Sequence, residues 1–205
     1  MIAKEAEDLD ADLIVMGSRG QSLWKSLFLG SVSNAVLAES KRPLLLLRDE
    51  VPKTGDRLRV GIAVDGSAYG EAATDYVLAH KDFFGADPDF RVLHVVRDYQ
   101  TLVATTSVEY VMPTVTTEEF EKSTAEEFEK TVEPVLKRFE QADVPVQAEK
   151  LTAFASDAIA EYAKSELDIL VIGSHGYGNF KSAVLGSTAM HIAAECKVPL
   201  LVVRH

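Results

Sequence analysis

Two stretches of the chain carry glycines at the same places. They are GSRGQSLWKSLFLGS at residues 17–31 and GSHGYGNFKSAVLGS at residues 173–187. A shift of 156 positions, Gly17 onto Gly173, lays Asp12–Arg48 over Asp168–Arg204 without a gap. Asp12 falls on Asp168, Gly20 on Gly176, Lys25 on Lys181, Gly30 on Gly186, Ser31 on Ser187 and Arg48 on Arg204. A repeat at domain-length spacing means the chain holds one unit and part of another. Residues 57–205 have room for a complete domain, whereas residues 1–48 hold only the C-terminal third of one. Between them RDEVPKTGDR is charged, contains Pro52 and Gly55 and lacks apolar periodicity, so residues 49–56 read as a linker.

The complete copy alternates strand and helix signals. LRVGIAVD (58–65) is an apolar run ending in Asp-Gly-Ser, and SAYGEAATDYVLAHK (67–81) follows with helical spacing and Ser67 as its N-cap. FRVLHVV (90–96) is a strand. Residues 98–116 hold no clear pattern and read as a long loop. Residues 117–142 form an amphipathic helix, with Phe120, Phe128, Val132, Val135 and Phe139 on one side and Pro134 as a site for a kink. VPVQAEKL (144–151), SDAIAEYAKSE (156–166), LDILVIG (167–173), STAMHIAAECK (187–197) and PLLVVR (199–204) continue the alternation. The partial copy repeats its end: AKEAEDL, DLIVMG, the glycine loop, SVSNAVLAES and PLLLLR.

Strands alternating with helices imply parallel pairing and right-handed crossovers. ILVIG is apolar on both faces, as a strand covered on both sides must be. The expected fold is α/β, a doubly wound sheet of five parallel strands, preceded by the C-terminal third of a second copy. Ligands of such sheets sit at the carboxyl ends of the strands, where strand order reverses.

Composition narrows the function. The net charge is −11, from 32 acidic and 21 basic side chains, which disfavours nucleic acid and anionic membranes as partners. No apolar run nears the roughly 20 residues of a membrane span. The N-terminal MIAKEAEDLDADL is charged and does not resemble a signal peptide. One cysteine, Cys196, rules out an intramolecular disulfide, suits a reducing cytoplasm, and reads as an inert buried thiol. Histidines 80, 94, 175, 191 and 205 show no ligand spacing, so no protein-built metal cluster is expected.

The glycine loop follows a strand and opens a helix. Gly173 and Gly176 would let backbone approach a ligand with no Cβ between. Gly186 and Ser187 open the next helix, whose free N–H groups and partial positive charge suit phosphate. The spacing is neither a Walker A loop nor a Rossmann fingerprint, since Lys181 stands where the third glycine would be. Ordinary turn chemistry accounts for the same glycines, and both readings stand at this point. Lys25 and Lys181 could neutralise phosphate or serve as surface lysines.

Gly-x-x-Gly, nine residues, then Gly-Ser resembles the signature of the universal stress protein family in its ATP-binding branch. It occurs at Gly17/Gly20/Gly30/Ser31 and at Gly173/Gly176/Gly186/Ser187. VDGS (64–67), LHVV (93–96) and KVPLLVVR resemble that family's opening motif, second-strand ending and closing strand. The resemblance implies the adenine nucleotide alpha hydrolase-like fold and ATP, with Mg²⁺ or Mn²⁺, as ligand. It places Asp65 beside the ribose or a metal, the one protein group that could meet an ion. Val95 would meet adenine through its backbone, and Ile172 and Gly173 would flank the nucleoside. Gly176, Gly186, Ser187 and Thr188 would hold the phosphates. Ala63 stands where some members have Pro, and Ala153 where many ATP-binding members have Gly. Ala153 is expected to crowd the adenine side.

The implied function is adenine-nucleotide binding in a stress-linked regulatory module that works through dimer-like domain pairing. No side chain offers an obvious general base for water attack, so at most slow ATP hydrolysis is expected. The alternative is an interaction and dimerisation module of the same family without nucleotide. The loop at Gly17, Gly20, Gly30 and Ser31 lacks the Asp and adenine segments and reads as a vestigial second loop. Leu13–Met16 should present an open edge, because the first strand it would pair with is missing. The chain is therefore expected to be part of a tandem protein or to form a homo-oligomer. Leu44–Leu47 is expected to lie antiparallel to Leu200–Val203.

Overall fold

The computed structural model describes residues 1–18, 29–48, 57–98, 116–176 and 185–204. Gly20, Lys25, Lys181, His205, the linker and most of the 98–116 loop lie outside the described residues. Among those described, the chain runs α1 (Ile2–Asp8), β1 (Ile14–Gly17), α2 (Ser31–Glu39), β2 (Leu44–Leu47), β3 (Arg59–Ala63), α3 (Ala68–Ala79) and β4 (Asp89–Val96). It continues through α4 (Thr117–Gln141), β5 (Val146–Thr152), α5 (Ala155–Glu166), β6 (Ile169–Gly173), α6 (Ser187–Glu195) and β7 (Leu200–Val203).

The strands form one sheet in the order β1-β2-β7-β6-β3-β4-β5. Within the complete copy every neighbouring pair is parallel. β1 and β2 are parallel in the same way. The expected five-stranded sheet is therefore part of a larger mixed one. The two copies join where β2 meets β7 antiparallel, with Leu44 opposite Val202, Leu45 opposite Leu201 and Leu46 opposite Leu200. These are the segments expected to pair. Leu-rich and Val-rich strands join here because both faces of the seam are covered: Leu46, Leu200 and Leu201 are fully buried.

Successive side chains of a strand point to opposite faces, and two cores result. One face buries Leu44, Leu46, Leu170, Leu200 and Val202 under α1, α2, α5 and α6. The other buries Leu45, Val60, Ile62, Val171 and Leu201 under α3 and α4. Thus α1 and α2 cover only one face of the partial copy.

The helix signals hold up at their starts. The Ser67 hydroxyl accepts the Gly70 N–H at 3.3 Å and caps α3. Thr116 and Glu119 form a reciprocal capping box at the head of α4. Pro134 does not end α4. Its ring faces solvent, where the carbonyl it leaves unbonded can meet water. No helix among the described residues is long and apolar enough to cross a membrane.

Candidate functional site

Beyond the carboxyl ends of β3, β4 and β6 lies a cavity of about 580 Å³. Strand order reverses here: the chain leaves β3 toward β4 on one side and returns to β6 on the other, so the loops splay apart. Ala63, Asp65, Val95, Ile172, Gly173, Gly176, Gly186, Ser187 and Thr188 all line it. Between Gly173 and Ser187, the lining residues come from both ends of the glycine loop. Gly17, Gly30 and Ser31 stand at the corresponding place in the partial copy, where Ser33 turns its hydroxyl onto the Gly17 carbonyl at 3.1 Å.

The site was only partly legible as chemistry. Val64, Ile159, Leu185 and Ile192 also line the cavity and give it an apolar wall. In the sequence these residues carry only the ordinary signal of a core-facing helix or strand. A wall of this kind with a few polar groups suits a small ligand, for which pockets run from about 300 to 1,000 Å³.

Asp65 is fixed by the turn that starts α3. One carboxylate oxygen accepts the Ser67 N–H at 3.0 Å and the Ser67 hydroxyl at 2.5 Å. The other faces Gly176, where a Cβ would stand 2.5 Å from it. A Cβ on Gly173 would stand 2.6 Å from the Tyr69 carbonyl oxygen. The bareness of these glycines therefore has a cause inside the protein. They let the head of α3 and the Asp65 carboxylate come against the end of β6, a packing role beside their place on the cavity wall. Gly186 serves a similar purpose, since its Cβ would lie 3.3 Å from the His175 Cα.

The end of the loop is the electropositive part. Gly186 is the N-cap of α6 in extended conformation, and no side chain caps the helix. The Gly186 N–H donates to the Ser174 carbonyl at 2.9 Å and closes the loop. The first N–H groups of α6, at Ser187, Thr188 and Ala189, belong to residues lining the cavity. Beside them, the His175 ring lies against Tyr69 with centroids 4.9 Å apart, and its Nδ1 is 3.1 Å from the Ser174 hydroxyl. His94 is buried, with Nδ1 donating to the Val64 carbonyl at 2.9 Å. A carbonyl can only accept, so Nδ1 carries the proton in this bond.

Ala153 is not among the residues lining the cavity. It holds φ +142°, a backbone region suited to glycine. The alanine here therefore carries backbone strain in the turn between β5 and α5, outside the lining of the cavity.

Cys196 is buried, and burial pushes its thiol pKa up, which keeps it protonated and unreactive. One histidine has acidic neighbours in space. His191 Nε2 lies 3.4 Å from Asp157 Oδ1 and 3.3 Å from Glu195 Oε1. Asp157 comes from the neighbouring helix, so sequence spacing could not reveal it. These exposed groups make an ion pair whenever His191 is protonated.

Comparison with known proteins agrees with this architecture. The family model described as the universal stress protein family matches residues 1–48 and 57–204. The chain is similar to a universal stress protein of Mycolicibacterium smegmatis, 28% identical over 195 residues that cover 95% of this chain and 62% of that protein. It is also similar to one of Mycobacterium tuberculosis, 26% identical over 198 residues covering 95% and 62%. The chain thus spans about three fifths of the length of these relatives. The solved universal stress protein of Archaeoglobus fulgidus shares the fold at a TM-score of 0.64 and 24% identity, covering 99% of this chain and 65% of that one. With the family model matching nearly the whole chain on both sides of the linker, this chain belongs to the universal stress protein family.

Proposed function

We propose that residues 57–205 form a complete domain that binds an adenine nucleotide, ATP with Mg²⁺ or Mn²⁺, in the cavity at the ends of β3, β4 and β6. The observation that supports this most is the convergence of nine expected residues on one cavity that also meets the uncapped N-terminus of α6. Ser187 and Thr188 lie where phosphates would be received. Val95 offers backbone beside the apolar wall, where a base fits. Asp65 turns one oxygen away from its turn and would meet the ribose or the ion.

The role is regulatory binding, with hydrolysis slow at most. One Asp65 oxygen already accepts two hydrogen bonds from Ser67, which makes it a poor base for a water molecule. Residues 1–48 are the C-terminal third of a further domain, joined through the linker at 49–56, and β2–β7 pairing is the dimer-like contact between them. The protein acts in the cytoplasm.

Calorimetry with ATP in the presence of Mg²⁺ or Mn²⁺ tests the binding. Asp65→Ala and Gly186→Val should each weaken it at least tenfold, while Gly30→Val should leave it unchanged. Absence of binding heat with either ion would leave the alternative, an interaction module without nucleotide.

A further inference from the structure

The helices α5 and α6 meet twice, once inside the protein and once on its surface. Inside, Ile159 and Ala163 of α5 and Ala189, Ile192 and Ala193 of α6 share one buried core, which fixes both backbones. On the exposed side His191 and Glu195 stand four residues apart in α6, a spacing that puts them on one helix face. Asp157, in the first turn of α5, faces them. His191 Nε2 lies 3.4 Å from Asp157 Oδ1 and 3.3 Å from Glu195 Oε1, and the three atoms fall within 4.8 Å of one another.

These separations are long for a hydrogen bond, which holds nitrogen and oxygen about 2.7–3.2 Å apart. They fit the edge of a metal tetrahedron. Nitrogen and oxygen ligands sit about 2.0–2.2 Å from Zn²⁺, so two ligands of one tetrahedral ion stand about 3.3–3.6 Å apart. Two of the three edges have that length already. Rotation of the Asp157 or Glu195 carboxylate closes the third. Asp157 Oδ1 also accepts the Ser156 hydroxyl at 3.2 Å, a contact of the kind that orients a ligating carboxylate.

Charge points the same way. Two carboxylates converge on one imidazole nitrogen, and among the described residues neither pairs with a lysine or arginine. A dication answers both charges and takes the nitrogen lone pair as well. Imidazole suits Zn²⁺ and its transition-metal neighbours, whereas Mg²⁺ prefers an octahedron of oxygens. The repeat offers an internal contrast. Glu39 of α2 stands where α6 has Glu195, but Ala35 stands where α6 has His191.

We propose that Asp157, His191 and Glu195 form a surface site for Zn²⁺, completed by water, that clamps α6 to α5. The same two helices supply Ile159 and Ile192 to the wall of the cavity, so the ion would hold that wall together from outside. The inference stands apart from nucleotide binding.

The test is calorimetric titration of the untagged, chelator-treated full chain with ZnCl₂ and no nucleotide. One equivalent of Zn²⁺ should bind. His191→Gln and Asp157→Asn should each weaken that binding at least tenfold, and His80→Gln, at an exposed histidine outside the cluster, should leave it unchanged. All these side chains are exposed, so the variants should fold as the wild type does. Zn²⁺ at a hundred times its Kd should raise Tm by about 5–10 °C in the wild type and not in His191→Gln. Absence of binding heat overturns the proposal, and so does equal affinity in His191→Gln. Wild-type affinity in Asp157→Asn would leave the ion on α6 alone and end the clamp. An equal rise in Tm with MgCl₂ would make the cluster a surface that collects any cation, which also overturns it.

Discussion

The same strand, loop, helix and strand pattern occurs twice in this chain, and among the described residues the second copy lines the cavity at the ends of β3, β4 and β6 while the first contributes nothing to it. Gly173 and Gly17, Gly186 and Gly30, Ser187 and Ser31 hold equivalent positions, and both helices begin at an extended glycine without a side-chain cap. What differs is the element beside them. In the complete copy the head of α3 carries Asp65 and Tyr69 against the end of β6, and β4 brings Val95 to the far wall. The partial copy has no counterpart of these segments among the described residues. The glycine loop is thus one wall of a site to which residues between Ala63 and Val95, more than 70 positions away in sequence, supply another.

The sharpest way to break this contrast is at the paired glycines. Gly173→Ala puts a Cβ 2.6 Å from the Tyr69 carbonyl oxygen, and backbone cannot move aside cheaply. A destabilisation of about 3 kcal/mol is expected, the upper range for overpacking. Gly17 is exposed, and Gly17→Ala should change stability by less than about 0.5 kcal/mol. Urea unfolding of the two variants checks this. Equal costs would mean that the glycines answer to their own loops and not to α3.

The paired aspartates come next. Burial pushes the Asp168 carboxyl pKa up, but hydrogen bonds from the Arg59 side chain and backbone and its positive charge pull it further down, to a net value below normal. Arg59 is about one third exposed, so the loss in Asp168→Asn should be about 2 kcal/mol, less than for a fully buried pair. Asp12→Asn should be close to neutral. A folded pKa below the unfolded one stabilises at pH values above the unfolded pKa of about 3.9. That contribution fades as pH falls through the lower folded value. The gap between wild type and Asp168→Asn should therefore be full at pH 5 to 7 and narrow as pH falls below about 4. Urea unfolding at pH 7, 5 and 3 reads it, and a gap as wide at pH 3 as at pH 7 would contradict the assignment.

Much of this was legible in the sequence, for identifiable reasons. Strand and helix positions follow from apolar spacing and from the Ser67 cap, which act within a few residues. The β2–β7 pairing was legible because the repeat and the family resemblance together gave the partner. Three things were not. The Arg59–Asp168 pair joins residues 109 positions apart, and no local pattern marks Arg59 as a partner. The need for bare backbone at Gly173 arises from Tyr69, whose aromatic character says nothing about its carbonyl. Ile159 and Ile192 wall the cavity from positions that an ordinary buried helix face would also fill. Distance along the chain hid the first two, and the lack of any signal beyond ordinary burial hid the isoleucines.

The smallest effect sharpens the comparison from inside the complete copy. Ala153, at φ +142°, has no counterpart in the partial copy, because its turn belongs to the segment that copy lacks. An alanine held in such a region costs on the order of 1 to 3 kcal/mol. Glycine relieves that strain but loses more freedom on folding, about 0.5 to 1 kcal/mol. Ala153→Gly should therefore stabilise the protein by about 1 kcal/mol, a rise of roughly 2–4 °C in Tm for a chain of this size. The same variant separates strain from crowding. If Ala153 acts only on its turn, ATP affinity in Ala153→Gly should match wild type, because the residue does not line the cavity. A tighter affinity for the proposed nucleotide with unchanged Tm would show that the Ala153 methyl acts on the ligand after all. A raised Tm with equal affinity would show that this copy tolerates a strained turn without reshaping its cavity.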